Sequence, residues 1–271
     1  MFKMQKVVLT TLLCSLSGAA WAEGGVFVTG HDPDYHSVYS GGAQHIIQKA
    51  ISFVTNGKAN PSILLVTDTV SPGGDNVDSR LGMQTAGFTF DVADDGSAGG
   101  SVLNASTVNF SNYDVVVIAS DYGGWLRQSE LSDVVARSGN LISYVNGGGG
   151  LVAFSESGTN QATNSADYFK FLPFLVSSSQ KNQSEVGNTL TPFGMSLGLT
   201  DSDVNGNASH SVFTSTGGMN IVDLDSSGQI LSLAFRGQIG VGGVTPEPGV
   251  FALLGAGLLT GGVFLRRRRI A

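Results

Sequence analysis

The chain has one cysteine in 271 residues, Cys14, and it lies within the first 22. If that segment is removed, the rest has no disulfide, no thiolate nucleophile and no cysteine metal ligand. Basic residues are also scarce. All 21 acidic residues lie between Glu23 and Glu247, whereas two of the 14 lysines and arginines precede that stretch and four follow it. The interior therefore carries eight positive and 21 negative charges, a net of −13. Such a surface repels polyanions, and no basic patch is interleaved with aromatics, so nucleic acid is excluded as a partner. Aromatics make up 8% of the chain. Tyr35, Tyr122 and Trp125 fall close to other polar candidates and form a potential stacking platform. No repeat period and no internal linker is present.

The two ends differ from the interior. Lys3 and Lys6, an apolar stretch and Ala20-Trp21-Ala22 read as a secretory signal peptide over 1–22, cleaved after Ala22 with Ala20 and Ala22 as the small residues of the site. Leu13 before Cys14 argues against a lipoprotein. At the other end, Pro246-Glu247-Pro248 is followed by an uncharged run from Gly249 to Leu265 and then by Arg266, Arg267, Arg268 and Arg269. The run is about the shortest that spans a bilayer as a helix, and a basic block keeps to the cytoplasmic side. These three parts closely resemble the PEP-CTERM sorting signal. Over 244–271 that resemblance implies a transmembrane helix, passage through the secretion machinery and recognition by an exosortase. It also implies an inner-membrane anchor with the domain on the periplasmic side, then delivery to the cell surface or an exopolysaccharide matrix.

Between the ends, 24–240 reads as one α/β domain. Gly25–Gly30, Ser62–Asp68, Tyr113–Ser120 and Leu151–Ser157 are short, uninterrupted apolar strands. Ile46, Ile47, Ala50, Ile51 and Val54 recur on one face of a helix over 43–54. A second helix ends at Gly87, and one long helix from Leu131 stops at Gly147. Uninterrupted strands alternating with helices predict a parallel sheet covered on both faces. A late antiparallel hairpin turns at Ser226-Ser227-Gly228.

The stretches VFVTGHD, YDVVVIASDYGGWL and LISYVNGGGGLVAFSESG resemble the class I glutamine amidotransferase-like superfamily, in particular its trehalose-utilisation-like branch. The likeness runs from Val26 to Gly158. It implies a flavodoxin-like sheet and, in catalytic members, a cysteine on the sharp turn after a strand. Here that turn reads Ser155-Glu156-Ser157, so amidotransferase chemistry lacks its nucleophile.

Ligands of such sheets bind beyond the carboxyl ends of the strands. The densest polar segment there is Gly30-His31-Asp32-Pro33-Asp34-Tyr35-His36. His31 and His36 are candidate transition-metal ligands. His31, Asp32, Glu156 and His210 are candidate catalytic residues. The alternative is that Asp32-Pro33-Asp34 is a turn that caps backbone N–H groups. Asp201-x-Asp203-x-Asn205-Gly206 matches the first half of a calcium loop, but Val212 stands where the bidentate Glu would be. Calcium is the one cofactor the pattern suggests, and a polar loop with an Asn-Gly turn is the alternative. Three functions follow: a non-catalytic surface or matrix protein with an amidotransferase-like fold and a glycan as its ligand, which the sorting tail and the missing cysteine favour; a secreted metal-assisted hydrolase using the His31–His36 loop; and a calcium-stabilised structural module.

Overall fold

The structure is a computed structural model that describes residues 23–69, 78–96, 102–156, 162–172, 176–181, 185–240 and 243–245. The first half alternates strand and helix: β1 (Gly25–Thr29), α1 (Pro33–His36), α2 (Gly41–Val54), β2 (Ile63–Val66), α3 (Ser79–Thr85), β3 (Asp91–Asp94), β4 (Leu103–Asn104), β5 (Val115–Ile118), α4 (Gln128–Ala136), α5 (Ser138–Asn146) and β6 (Gly150–Ala153). The second half is mostly strand: β7 (Ser177–Gln180), β8 (Thr189–Leu190), α6 (Pro192–Ser196), α7 (Asp201–Val204), β9 (Ser211–Ser215), β10 (Asn220–Leu224), β11 (Ile230–Arg236), β12 (Gln238–Gly240) and β13 (Gly243–Thr245).

One mixed sheet carries the fold. β4, β3, β2, β5, β6 and β1 pair in parallel in that order. β11, β10 and β8 extend it beyond β1 in antiparallel fashion, and β9 pairs with β11 and β7. The parallel strands are apolar without alternation because both of their faces are buried: every residue of β1, β2, β5 and β6 is buried. Each buried Val, Leu or Ile contributes about 1.5–3 kcal/mol of transfer free energy. Helix α2 lies over β1 and β6. Ser40 caps its start by accepting the Ala43 N–H, and its buried face is Ala43, Ile46, Ile47, Ala50, Ile51 and Val54. Gly25 and Gly150 sit under Val54, where a Cβ would press on that residue.

The expected late hairpin is β10–β11. Its turn forms because Asp225 Oδ1 accepts the N–H groups of Ser227 and Gln229, each at 2.8 Å, and Gly228 takes φ +83°.

Three expectations are corrected. A flavodoxin-like order sets the first strand beside the second, but β5 and β6 separate β1 from β2 here. The single helix predicted to Gly147 is two, α4 and α5, broken at Arg137. The guanidinium of Arg137 donates to the carbonyls of Ala105 and Val108 and lies over the Phe110 ring. The transmembrane helix is the third: among the described residues, no helix is long and apolar enough to cross a membrane. Residues 249–265, where it was expected, lie outside the described residues, as do 1–22 with Ala20 and Ala22, Pro246 to Pro248 and Arg266 to Arg269. The membrane anchor, exosortase sorting, secretion partners, exopolysaccharide and cell-surface destination therefore have no observed helix to rest on and are set aside.

Candidate functional site

All six parallel strands end at one edge of the sheet, and the chain reverses its direction of strand addition between β2 and β5. The polar segments that follow β1, β2, β5 and β6 therefore share that edge. A late segment, 207–211, is bound to it. The Gly30 carbonyl accepts the His210 N–H at 2.8 Å, and the Ala208 carbonyl accepts the Asp32 N–H at 3.3 Å. The His31 carbonyl accepts the Ser155 N–H at 3.0 Å. Gly30 must be glycine, because a Cβ there would collide with the Ser211 carbonyl. Ser155 Oγ and Ser211 Oγ meet at 3.1 Å. Three chain segments far apart in sequence are thus joined at one point.

That point is Asp32. Its carboxylate is fully buried, with one imidazole at each oxygen. His36 Nε2 is 3.4 Å from Oδ1, and His210 Nε2 is 3.3 Å from Oδ2. His36 reaches it because Pro33 starts a one-turn helix that brings residues i and i+4 to the same side. Neither contact is aligned as a hydrogen bond, so both Asp32 oxygens and His210 Nε2 are buried without a hydrogen-bond partner. The His36 side chain keeps 19% of its surface exposed and that of His210 keeps 7%. Tyr122 stacks on His210 with ring centroids 4.8 Å apart. Tyr35 meets His36 at 5.1 Å, Tyr122 at 6.1 Å and Tyr39 at 6.4 Å, each edge to face.

Two buried carboxyl groups stand behind this cluster. Asp34 Oδ2 accepts the Ser120 N–H at 2.9 Å, while Oδ1 has no hydrogen bond. Burial raises its pKa to about 6, against the opposing hydrogen bond from Ser120, and the Asp32 charge adds to the rise. Gly123 and Gly124 let the loop press onto this group: a Cβ at Gly124 would meet Asp34 Oδ2, and one at Gly123 would meet the Tyr35 ring. Glu156 is fully buried and accepts the Phe169 N–H. Burial pushes its pKa well above the carboxylate range, and Asp121 and Asp167 push it further.

The predicted site residues separate into those this centre unites and those it does not. Asp32, His36 and His210 come together, with Tyr35 and Tyr122 beside them. His31 does not join them. Its Nε2 is 2.8 Å from Asp223 Oδ2 and its Nδ1 is 3.3 Å from the Asn207 carbonyl. An acceptor at each ring nitrogen leaves no lone pair for a metal, which overturns the pairing of His31 with His36. Among the described residues, no three His, Cys, Asp or Glu side chains are grouped to hold a metal ion. Glu156 binds the backbone at Phe169, and Ser157 lies outside the described residues. Trp125 turns the chain at φ 64°, and its carbonyl accepts the Asp68 N–H. Sequence reasoning missed Asp223, which carried no local signal.

The calcium pattern is a helix start. Asp203 Oδ2 accepts the Thr200 N–H at 2.8 Å in a capping box, and Oδ1 faces His45 Nδ1 at 3.0 Å. Asp201 Oδ1 accepts the Leu190 N–H and Asn205 Oδ1 accepts the Asn188 N–H, each at 2.9 Å. These oxygens already have donors. Asp203→Ala should therefore destabilise the fold by about 1–2 kcal/mol through loss of the cap. Thermal melts should give the same loss in calcium and in chelator; a loss confined to calcium would reinstate a bound ion.

No protein family, curated protein or solved structure matches the chain.

Proposed function

We propose that the protein is an acid–base enzyme whose centre is the Asp32 carboxylate flanked by His36 and His210. The observation that supports this is the buried carboxylate with an imidazole at each oxygen, placed at the edge of the sheet where ligands enter. Proton transfer needs a base, an acid and a group that orients them. One imidazole, unprotonated, takes a proton from one atom of the substrate. The other, protonated, returns a proton to a second atom, so charge and atoms balance over the step. Asp32 orients both rings and stabilises whichever is the imidazolium. Contacts of 3.3–3.4 Å suit a site without substrate, since catalytic hydrogen bonds tighten on binding. Amidotransferase chemistry has no part in this reading: the strand β6 is followed by Ser155, whose Oγ is held on Ser211.

The test is incubation of the protein with a small-molecule extract in heavy water, read by mass spectrometry for new products or deuterium gained. The wild type is expected to transform at least one component. His36→Gln, His210→Gln and Asp32→Asn should each slow that change by about tenfold or more while remaining folded. If folded variants match the wild type, the centre is not catalytic.

A further inference from the structure

Asp32 receives no aligned hydrogen bond from the two imidazoles that face it. Both Asp32 oxygens and Asp34 Oδ1 are buried without a hydrogen bond, although buried acceptors in folded proteins nearly always have one. Two of the described cations, Arg127 and Lys181, are committed elsewhere. Arg127, at the start of α4, pairs with Asp68, and Lys181, whose N–H donates to the His210 carbonyl, pairs with Asp225. Beside the unsatisfied carboxylate stands a run of rings reaching solvent: Tyr39 is 71% exposed, Tyr122 is 38% exposed, and Tyr35 connects them. Three of the chain's six tyrosines are gathered here, whereas Tyr144 and Tyr168 are buried.

We propose that the substrate of this centre is a cationic amine, its ammonium set on the Asp32 carboxylate and its carbon skeleton against the Tyr35 and Tyr122 rings. This rests on the acid–base reading above and names the substrate class for the same site. An ammonium brings three N–H donors and a positive charge. The carboxylate supplies acceptors and the opposite charge, and tyrosine faces attract cations through their quadrupole. An unprotonated imidazole beside it can then take one ammonium proton, which leaves the nitrogen lone pair free to react. Anionic substrates would set a second negative charge beside a buried one. Neutral alcohols would bring donors without the charge.

Benzylamine, benzyl alcohol and benzoate separate these cases, because they share one ring and differ in the polar group. Calorimetric titration should show benzylamine, as its ammonium, binding at least tenfold tighter than benzyl alcohol, with benzoate weakest. Asp32→Asn should cost benzylamine at least tenfold and leave benzyl alcohol nearly unchanged. Tyr122→Leu should weaken both ring ligands. Equal binding of amine and alcohol, tighter binding of benzoate, or an amine affinity indifferent to Asp32→Asn would overturn the substrate class. The heavy-water experiment stands apart from this one. Histidine-dependent turnover without amine selectivity would sink only the substrate class, and amine binding without such turnover would sink only the acid–base reading.

Discussion

Asp223→Ala should lower the stability of the fold by about 3–5 kcal/mol at pH 6, because it removes one partner of a buried ion pair and leaves the other without compensation. His31 and Asp223 are both fully buried. Burial by itself would lower the His31 pKa, but the Asp223 charge and hydrogen bond, the Asn207 carbonyl and the Asp32 charge together raise it. Both ring nitrogens face acceptors, a setting that favours the imidazolium, in which both are donors. A group whose pKa is raised on folding contributes stability that is fully present below its unfolded value, 6.5 here, and is lost as pH rises through the folded value. The loss caused by Asp223→Ala should therefore be largest at pH 6 and smaller in alkali, where only a hydrogen bond is removed. For a chain of this size, about 2–4 °C per kcal/mol gives a fall in Tm of roughly 6–20 °C. The double variant His31→Leu with Asp223→Leu should recover much of that, since apolar replacement of both partners removes the buried charge altogether. A Tm unchanged at pH 6 in Asp223→Ala would show that the pair contributes nothing.

His31 also shows why the sequence could be read only in part. Strands β1, β2, β5 and β6 and the helix α2 were legible because their burial is written locally, as uninterrupted apolar runs and a 3.6-residue stripe. The β10–β11 turn was legible because Asp225 and Gly228 determine it by themselves. Strand order has no such local record, and nothing in β1 says that β6 and β11 will be its neighbours. The segment His31 to His36 stood out as dense in chemistry, but the role of each residue depends on a distant partner. Asp223, on a strand whose pairing register shifts on either side of it, claims His31. His210, brought in by backbone bonds at Gly30 and Asp32, completes the centre with His36 instead. The Asp201-x-Asp203-x-Asn205 spacing misled for the opposite reason. Thr200-x-x-Asp203 is equally local and describes a capping box, and the two patterns share Asp203.

Asp34→Asn should stabilise the fold relative to wild type at pH 7 and lose that advantage at pH 4. The Asp34 carboxyl is completely buried, one oxygen has no donor, and burial lifts its pKa from 3.8 to about 6. The folded state therefore favours the protonated acid. The stabilisation from that proton is fully present below 3.8 and is lost as pH rises to about 6. Over this window of about two pH units, the change amounts to roughly 3 kcal/mol at about 1.4 kcal/mol per unit. Above pH 6 the wild type holds a buried carboxylate that the Ser120 N–H and the neighbouring Ser120 and Ser79 side chains do not fully compensate and that the Asp32 charge repels. Asparagine has nearly the same shape, can accept the same Ser120 N–H and carries no charge. The stability difference between Asp34→Asn and wild type, followed by urea unfolding from pH 4 to pH 7.5, should grow by roughly 3 kcal/mol in favour of the variant, with most of the rise between pH 4 and pH 6. Carboxyl groups that do not feel the Asp34 charge titrate alike in both proteins, so their contributions cancel in the difference, and the coupling to Asp32 is part of the effect read. A difference that stays flat across this range would mean that Asp34 ionises in the fold as it does in water, and that the polar edge beside Asp32 is far better solvated than its burial implies.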